Sequence, residues 1–194
     1  MRLTTRLLAI SSLLVLTSSL TADQFQIKKI EGGLEVQRDG KLFTRYLVKS
    51  GAKPILWPVI GPHGNEITRA FPMRDAGEDE RADHHHHRSF WFTHGNVNGI
   101  DFWSEGDGHG DIEHRKFVKV TSGSYAMIIS RNDWVGPDKT KVCEDERRLT
   151  FGGDGKVYWI DFDVTVTASE GPLTFGDTKE GSFGVRVAGS MKVS

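Results

Sequence analysis

The sequence predicts an all-β fold, an antiparallel β-sandwich, on three observations. Apolar residues alternate with polar ones at a period of two in several short runs. Glycine-centred turns separate those runs. No stretch beyond the first twenty-two residues carries a 3.6-residue apolar pattern. Many short strands joined by glycine turns stack as two antiparallel sheets more readily than as any layered fold that needs helices.

The first element in chain order lies outside that fold. Arg2 and Arg6 precede an apolar stretch, Leu7 to Leu16, and small and polar residues then lead to Ala22. This is the order of a secretory signal peptide. The run is short for a membrane span, which needs about 20 apolar residues. Cleavage near Ala22–Asp23 leaves a single β-sandwich domain, residues 23–194, secreted or periplasmic; a retained anchor is the alternative. No later segment is long and apolar enough to cross a bilayer.

The strands follow. The clearest is "KVYWIDFDVTVT", where Tyr158, Ile160, Phe162, Val164 and Val166 face one way and Trp159, Asp161, Asp163, Thr165 and Thr167 the other. Weaker alternation marks 25–30, 34–38, 41–48, 114–120, 124–130 and 183–188. Gly32-Gly33, Asp39-Gly40, Gly61-Pro62, Gly152-Gly153 and Asp154-Gly155 read as the turns between them. The chain ends directly after a strand-like segment, so an incomplete sandwich lacking further strands is a second expectation.

The bulk numbers remove several function classes. Without residues 1–22 the chain carries 23 Lys+Arg against 26 Asp+Glu, a net charge of −3, and it has no basic run. Phosphate binding needs clustered Lys and Arg, so nucleic acid is not the expected partner. Cys143 is the single cysteine and no disulfide can form within the chain. It reads as a core thiol, and the domain must rest on a hydrophobic core alone.

Chemistry concentrates in one block. Of eight histidines, seven fall between positions 84 and 114. The stretch "RADHHHHRSFWFTHGNVNGIDFW", residues 81–103, lies between the charged segment 73–83 and the polar segment 104–111. Loops on a rigid β scaffold are where functional groups are displayed. If 84–87 is extended, His84 and His86 share one face and His85 and His87 the other. A His-x-His pair then offers a divalent metal two imidazoles, with His94, His114 or Asp101 as a third ligand.

The rival chemistry is acid–base catalysis without a metal. Imidazole titrates near neutral pH, and a carboxylate such as Asp83 or Asp101 fixes its tautomer. Arg88 offers a fork for an anionic group, or else an ion pair with the acidic segment. Phe90, Phe92 and Phe102 read as core. Trp91 and Trp103 are either core or an apolar wall on which a sugar ring stacks.

Other patterns are weaker. "EGDGHGDIEHRK" imitates a calcium loop but places Lys116 where the last acid belongs. There is no Gly-x-Ser-x-Gly, P-loop or Cys-x-x-Cys. Glu144 to Arg148 read as a solvated, charged strand edge, with Glu146 or Arg147 reaching a site as the alternative.

The quoted block, with "GDIEHRKF", "WIDFDVTVTA" and "FGDTKEGSFGVRVAGSMKV", resembles a bacterial secreted family labelled "methane oxygenase PmoA", from about Leu34 onward. The resemblance implies that His84, His86, His87, Arg88, His94, Asp101 and His114 form the site, and that His85 is expendable. It implies an extracytoplasmic β protein of the kind found with carbohydrate-processing genes, continuing past Val193. The oxygenase of that label belongs to a protein with several membrane-spanning helices, so its activity is not carried over.

The leading expectation is a carbohydrate-processing enzyme, a lyase, hydrolase or epimerase, whose catalytic residues are that His/Arg/Asp set. A metal-binding protein using His84 and His86, and a non-catalytic carbohydrate-binding module using Trp91 or Trp103, are the alternatives. The expected partner is a small-molecule or carbohydrate ligand, and on the metal-binding alternative the cofactor is a divalent metal.

Overall fold

The computed structural model describes residues 24–193, so the segment read as a signal peptide lies outside the described residues. The expected all-β sandwich is what the chain adopts. Among the described residues ten strands form it: β1 Phe25–Ile30, β2 Gly33–Arg38, β3 Lys41–Ser50, β4 Lys53–Val59, β5 Phe90–Phe92, β6 Asp111–Thr121, β7 Ala126–Val135, β8 Lys141–Gly153, β9 Tyr158–Thr167 and β10 Phe183–Val185. A short 3-10 turn, Gly189–Met191, follows. No described helix is long and apolar enough to cross a membrane.

The strands make a six-stranded sheet in the order β1-β2-β3-β4-β5-β10 and a four-stranded meander β6-β7-β8-β9. All named pairings are antiparallel. Strand alternation dictates the main core. Leu34, Val36, Phe43, Tyr46 and Leu56 from the first sheet meet Ala126, Ile128, Leu149 and Phe151 from the second. Each large side chain so buried contributes about 1.5–3 kcal/mol of apolar transfer. β9 keeps the predicted faces, with Tyr158, Ile160, Phe162, Val164 and Val166 turned inward and the alternate residues exposed.

Three strands escape the sequence pattern. β4 contains Pro54 and Pro58, which argue against a central strand. β5 is three residues long. β8 places Asp145 and Arg147 at inward positions and pairs with β7 on one side and β9 on the other, so the reading of 144–148 as a solvated edge is corrected to an interior strand on which Arg148 alone of the five is exposed. The Asp145 and Arg147 side chains are almost fully buried. They form an ion pair, Arg147 Nη2 to Asp145 Oδ2 at 2.9 Å. Asp145 also accepts from Asn132 Nδ2 at 2.6 Å and Trp134 Nε1 at 2.8 Å. Arg147 donates further to the carbonyls of Pro54 and Phe92, tying the two sheets together.

The predicted turns mostly hold, with Asp39 and Gly40 both at positive φ in the β2–β3 hairpin. Gly152-Gly153 instead belongs to the end of β8. A Cβ at Gly152 would lie 2.0 Å from the Trp159 ring, so glycine there is a seat for the indole.

The first sheet has a second buried surface on its outer face. Leu47, Ile55, Trp57 and Trp91 point away from the main core and are covered by Trp103 and Met73. The cover comes from the long connection 60–89 and from the loop after β5. Within the connection, Arg69 N donates to Arg186 O and Ala188 N to Ile67 O. These bonds lay residues 67–69 along the chain following β10 and set the stage for the site.

Candidate functional site

The four consecutive histidines do not form a strand. His87 N donates to His84 O at 2.8 Å, closing a turn, and left-handed φ values at His84 (50°) and Ser89 (62°) bracket it. The extended His-x-His geometry is therefore corrected: a turn folds rings together that a strand would alternate. His84 stacks on His87 with centroids 5.1 Å apart. His86 meets His87 at 4.4 Å and His84 at 5.9 Å. His85 is exposed and meets His86 alone of the three.

The turn rests on the outer aromatic layer. His87 stacks on Trp91 at 5.4 Å and meets Trp103 edge-on at 5.6 Å. Trp91 and Trp103 are 3% and 7% exposed, so they are the floor beneath His87 and not an open platform for a sugar ring. Gly184 on β10 makes room for that floor, since a Cβ there would lie 2.3 Å from the Trp91 ring.

A guanidinium fixes the state of His87. Arg186 Nη1 lies 2.9 Å from His87 Nδ1. An arginine nitrogen can only donate, so Nδ1 accepts and the neutral ring carries its proton on Nε2. That Nε2 is buried and has no hydrogen-bond partner among the described residues. Burial, then the neighbouring His86 and Arg186, push the His87 pKa down to about 4. Burial, then Lys53, also lowers that of His86. Because the unfolded ring binds its proton near 6.5, His87 favours the folded state above that pH and gives up this contribution as pH falls toward 4.

Arg88 turns away from the imidazoles. Its Nε and Nη2 grip Glu105, with Nη2 to Oε2 at 2.8 Å, and Lys53 Nζ reaches Glu105 Oε1 at 2.6 Å. Lys53 is completely buried. Burial alone would raise the Glu105 pKa, but the Arg88 hydrogen bond and the charge and bond of Lys53 outweigh it and hold the carboxyl at about 2. Arg88 is thus an anchor for the loop 104–110 and not a free clamp. Asp101 is also an anchor, accepting from the amides of Trp103 (2.6 Å) and Ser104 (3.1 Å) and from the Ser104 hydroxyl. No imidazole is hydrogen-bonded to it among the described residues; its negative charge still acts on the site, since the His86 charge helps lower its pKa.

His94 and His114 lie elsewhere, so the single shared pocket expected from the sequence is corrected to a smaller set. His94 Nε2 donates to Gly176 O at 2.9 Å and Nδ1 lies 2.8 Å from Ser182 Oγ, a tie that pins 176–182 to the end of β5. His114 stands on β6 in the second sheet, beside Tyr46 and Phe117. Nearness in sequence put these residues in one group, and the crossing from one sheet to the other separates them. Cys143 is buried, and burial followed by the charge of Asp145 raises its thiol to about 12, which fits a core thiol.

The sequence pattern gave no sign of Arg186, Arg69 or Lys53. Asp83 joins them: its Oδ1 accepts from Arg69 Nη2 at 3.1 Å and Arg186 Nη2 at 2.9 Å, and its Oδ2 lies 3.4 Å from His84 Nδ1. The assembled site is the turn of His84, His86 and His87, with Asp83 and Arg186 in contact with it and the charges of Lys53 and Glu105 acting on His86. Among the described residues no three His, Cys, Asp or Glu side chains are grouped to hold a metal ion, so His84 and His86 lack the third ligand that reading requires.

A family model described as "Family of unknown function (DUF6807)" matches residues 33–194. No curated protein and no solved structure matches the chain.

Proposed function

The chain belongs to the DUF6807 family of unknown function, and from its geometry we propose a carbohydrate-processing protein whose chemistry lies at the turn of His84, His86 and His87. The observation that carries this reading is the buried Nε2–H of His87, a preset donor without a partner among the described residues. An unpaired buried donor costs about 1–3 kcal/mol, and a ligand oxygen that reached it as the turn opened would relieve that cost. Carbohydrates present such oxygens at high density.

Within this reading the groups divide their work. His87, held neutral first by burial and then by its cationic neighbours, donates a hydrogen bond to a substrate oxygen once the turn opens and is not the base. His86 is half-buried, and burial, then Lys53, pushes its pKa down from the ordinary value, which favours the neutral ring and suits it to accept a proton. Asp83 orients His84 through the Oδ2 contact. Resemblance to the PmoA-labelled secreted proteins supports the same reading, and the N-terminal signal would carry the chain out of the cytoplasm.

Turnover of a panel of neutral and acidic polysaccharides, followed by reducing ends and by the absorbance of unsaturated products, tests it. The wild type turns over at least one member, and His86→Gln lowers the rate by about 10²–10⁴-fold while keeping the fold. No turnover across the panel, or a His86→Gln protein as active as the wild type, contradicts the reading. In the first case sugar binding without turnover assigns a non-catalytic binding module instead.

A further inference from the structure

Beside the histidine turn lies a cavity of about 550 Å³, lined among others by Arg69, Asp83 and Arg186. Two guanidinium groups there share a single carboxylate oxygen, Asp83 Oδ1, at 3.1 and 2.9 Å. One acid cannot neutralise two arginines. Arg69 is only 5% exposed, and its Nε is buried without a hydrogen-bond partner among the described residues.

The remaining charges of the lining do not close the deficit. Glu80 is committed to backbone amides, accepting from Ala70 at 2.9 Å, Phe71 at 3.2 Å and Gly77 at 3.4 Å. Arg81 and Lys192 add positive charge at the cavity, and Asp79 adds one negative charge. The lining therefore carries one positive charge in excess. Its two partly satisfied guanidinium forks suit a planar, two-oxygen anion.

The link to the turn is direct. Arg186 reaches Asp83 with Nη2 and His87 Nδ1 with Nη1. An anion in the cavity thus meets the same guanidinium that fixes the tautomer of His87. We infer that this cavity is the subsite for the carboxylate of an acidic sugar residue, held by Arg69 and Arg186 next to the histidine turn. The inference rests on the carbohydrate reading of that turn and adds the substrate class to it.

Calorimetric titration with trigalacturonate and with the neutral maltotriose and cellotriose tests the subsite. The acidic trisaccharide binds roughly tenfold tighter or more than either neutral one, as charge-assisted bonds require, and 0.5 M salt erodes the preference. Arg186→Gln removes the preference, whereas Arg186→Lys, which keeps the charge but loses the fork, keeps part of it. Thermal unfolding of both variants separates loss of binding from loss of fold.

Equal binding of acidic and neutral sugars, or a preference untouched by Arg186→Gln in a folded protein, overturns the subsite and leaves the carbohydrate reading standing. Binding of none of the three by the folded wild type overturns both.

Discussion

Asp145→Ala is expected to cost about 3–5 kcal/mol of stability, because removing one partner of a buried ion pair strands the other charge in the core. Burial would lower the pKa of Arg147, but the charge and hydrogen bonds of Asp145 outweigh it and raise it, so the native guanidinium is charged. The substitution leaves that charge without its carboxylate and takes the acceptor from Asn132 and Trp134 as well. Against a typical total of about 5–15 kcal/mol this is a large fraction. Urea unfolding followed by tryptophan fluorescence measures it. The double variant Asp145→Ala/Arg147→Met is expected to be more stable than the single one, since it removes the stranded charge. A single variant within about 0.5 kcal/mol of the wild type would show that the pair does not hold the sheets.

The second large effect is expected at Glu105, the hub of the Lys53–Arg88 ion cluster. Glu105→Gln takes from Lys53, which is completely buried, and from Arg88 the carboxylate they share, at a cost again of about 3–5 kcal/mol. The pH dependence gives it a signature. In the folded wild type the Glu105 carboxyl sits at about 2 against an ordinary 4.5. Its contribution is complete above 4.5 and is lost as pH falls toward 2. The variant lacks that acid limb. Its gain in stability toward alkaline pH is larger than the wild type's, because Lys53, already lowered by burial, is lowered further once the opposing charge of Glu105 is gone. Denaturation midpoints measured from pH 2.5 to 9.5 check both limbs. Because Arg88 follows directly on His87, loosening of the cluster should also broaden the histidine signals of the turn.

The particular residues show how far the sequence could be read. β9 was legible because one of its faces is core and the other solvent, so hydropathy reports geometry there. β8 was not, because Asp145 and Arg147 satisfy each other inside the sandwich and hydropathy sees only two charged residues. β4 was hidden by Pro54 and Pro58, and β5 by its brevity.

The site divides in the same way. The histidine cluster was legible from composition alone, and Asp83 from its place beside it. The turn was not, since histidine at a φ of 50° carries no glycine or asparagine signal. Arg186 lies 99 positions from His87 and reaches it only because the 67–69 segment and the chain after β10 run side by side. His94 and His114 show the converse error, since the fold places one in the loop after β5 and the other on β6, in different hydrogen-bond networks.

The functional reading depends on His87 being a neutral donor with its proton on Nε2. Long-range proton–nitrogen NMR of the imidazoles, followed from pH 7.5 to 3.5, observes this without any ligand. The expected result is an Nε2–H tautomer for His87 that persists until about pH 4, where Arg186 and burial no longer prevent protonation. A His87 that titrates near 6.5, or that carries its proton on Nδ1, would contradict the site as described.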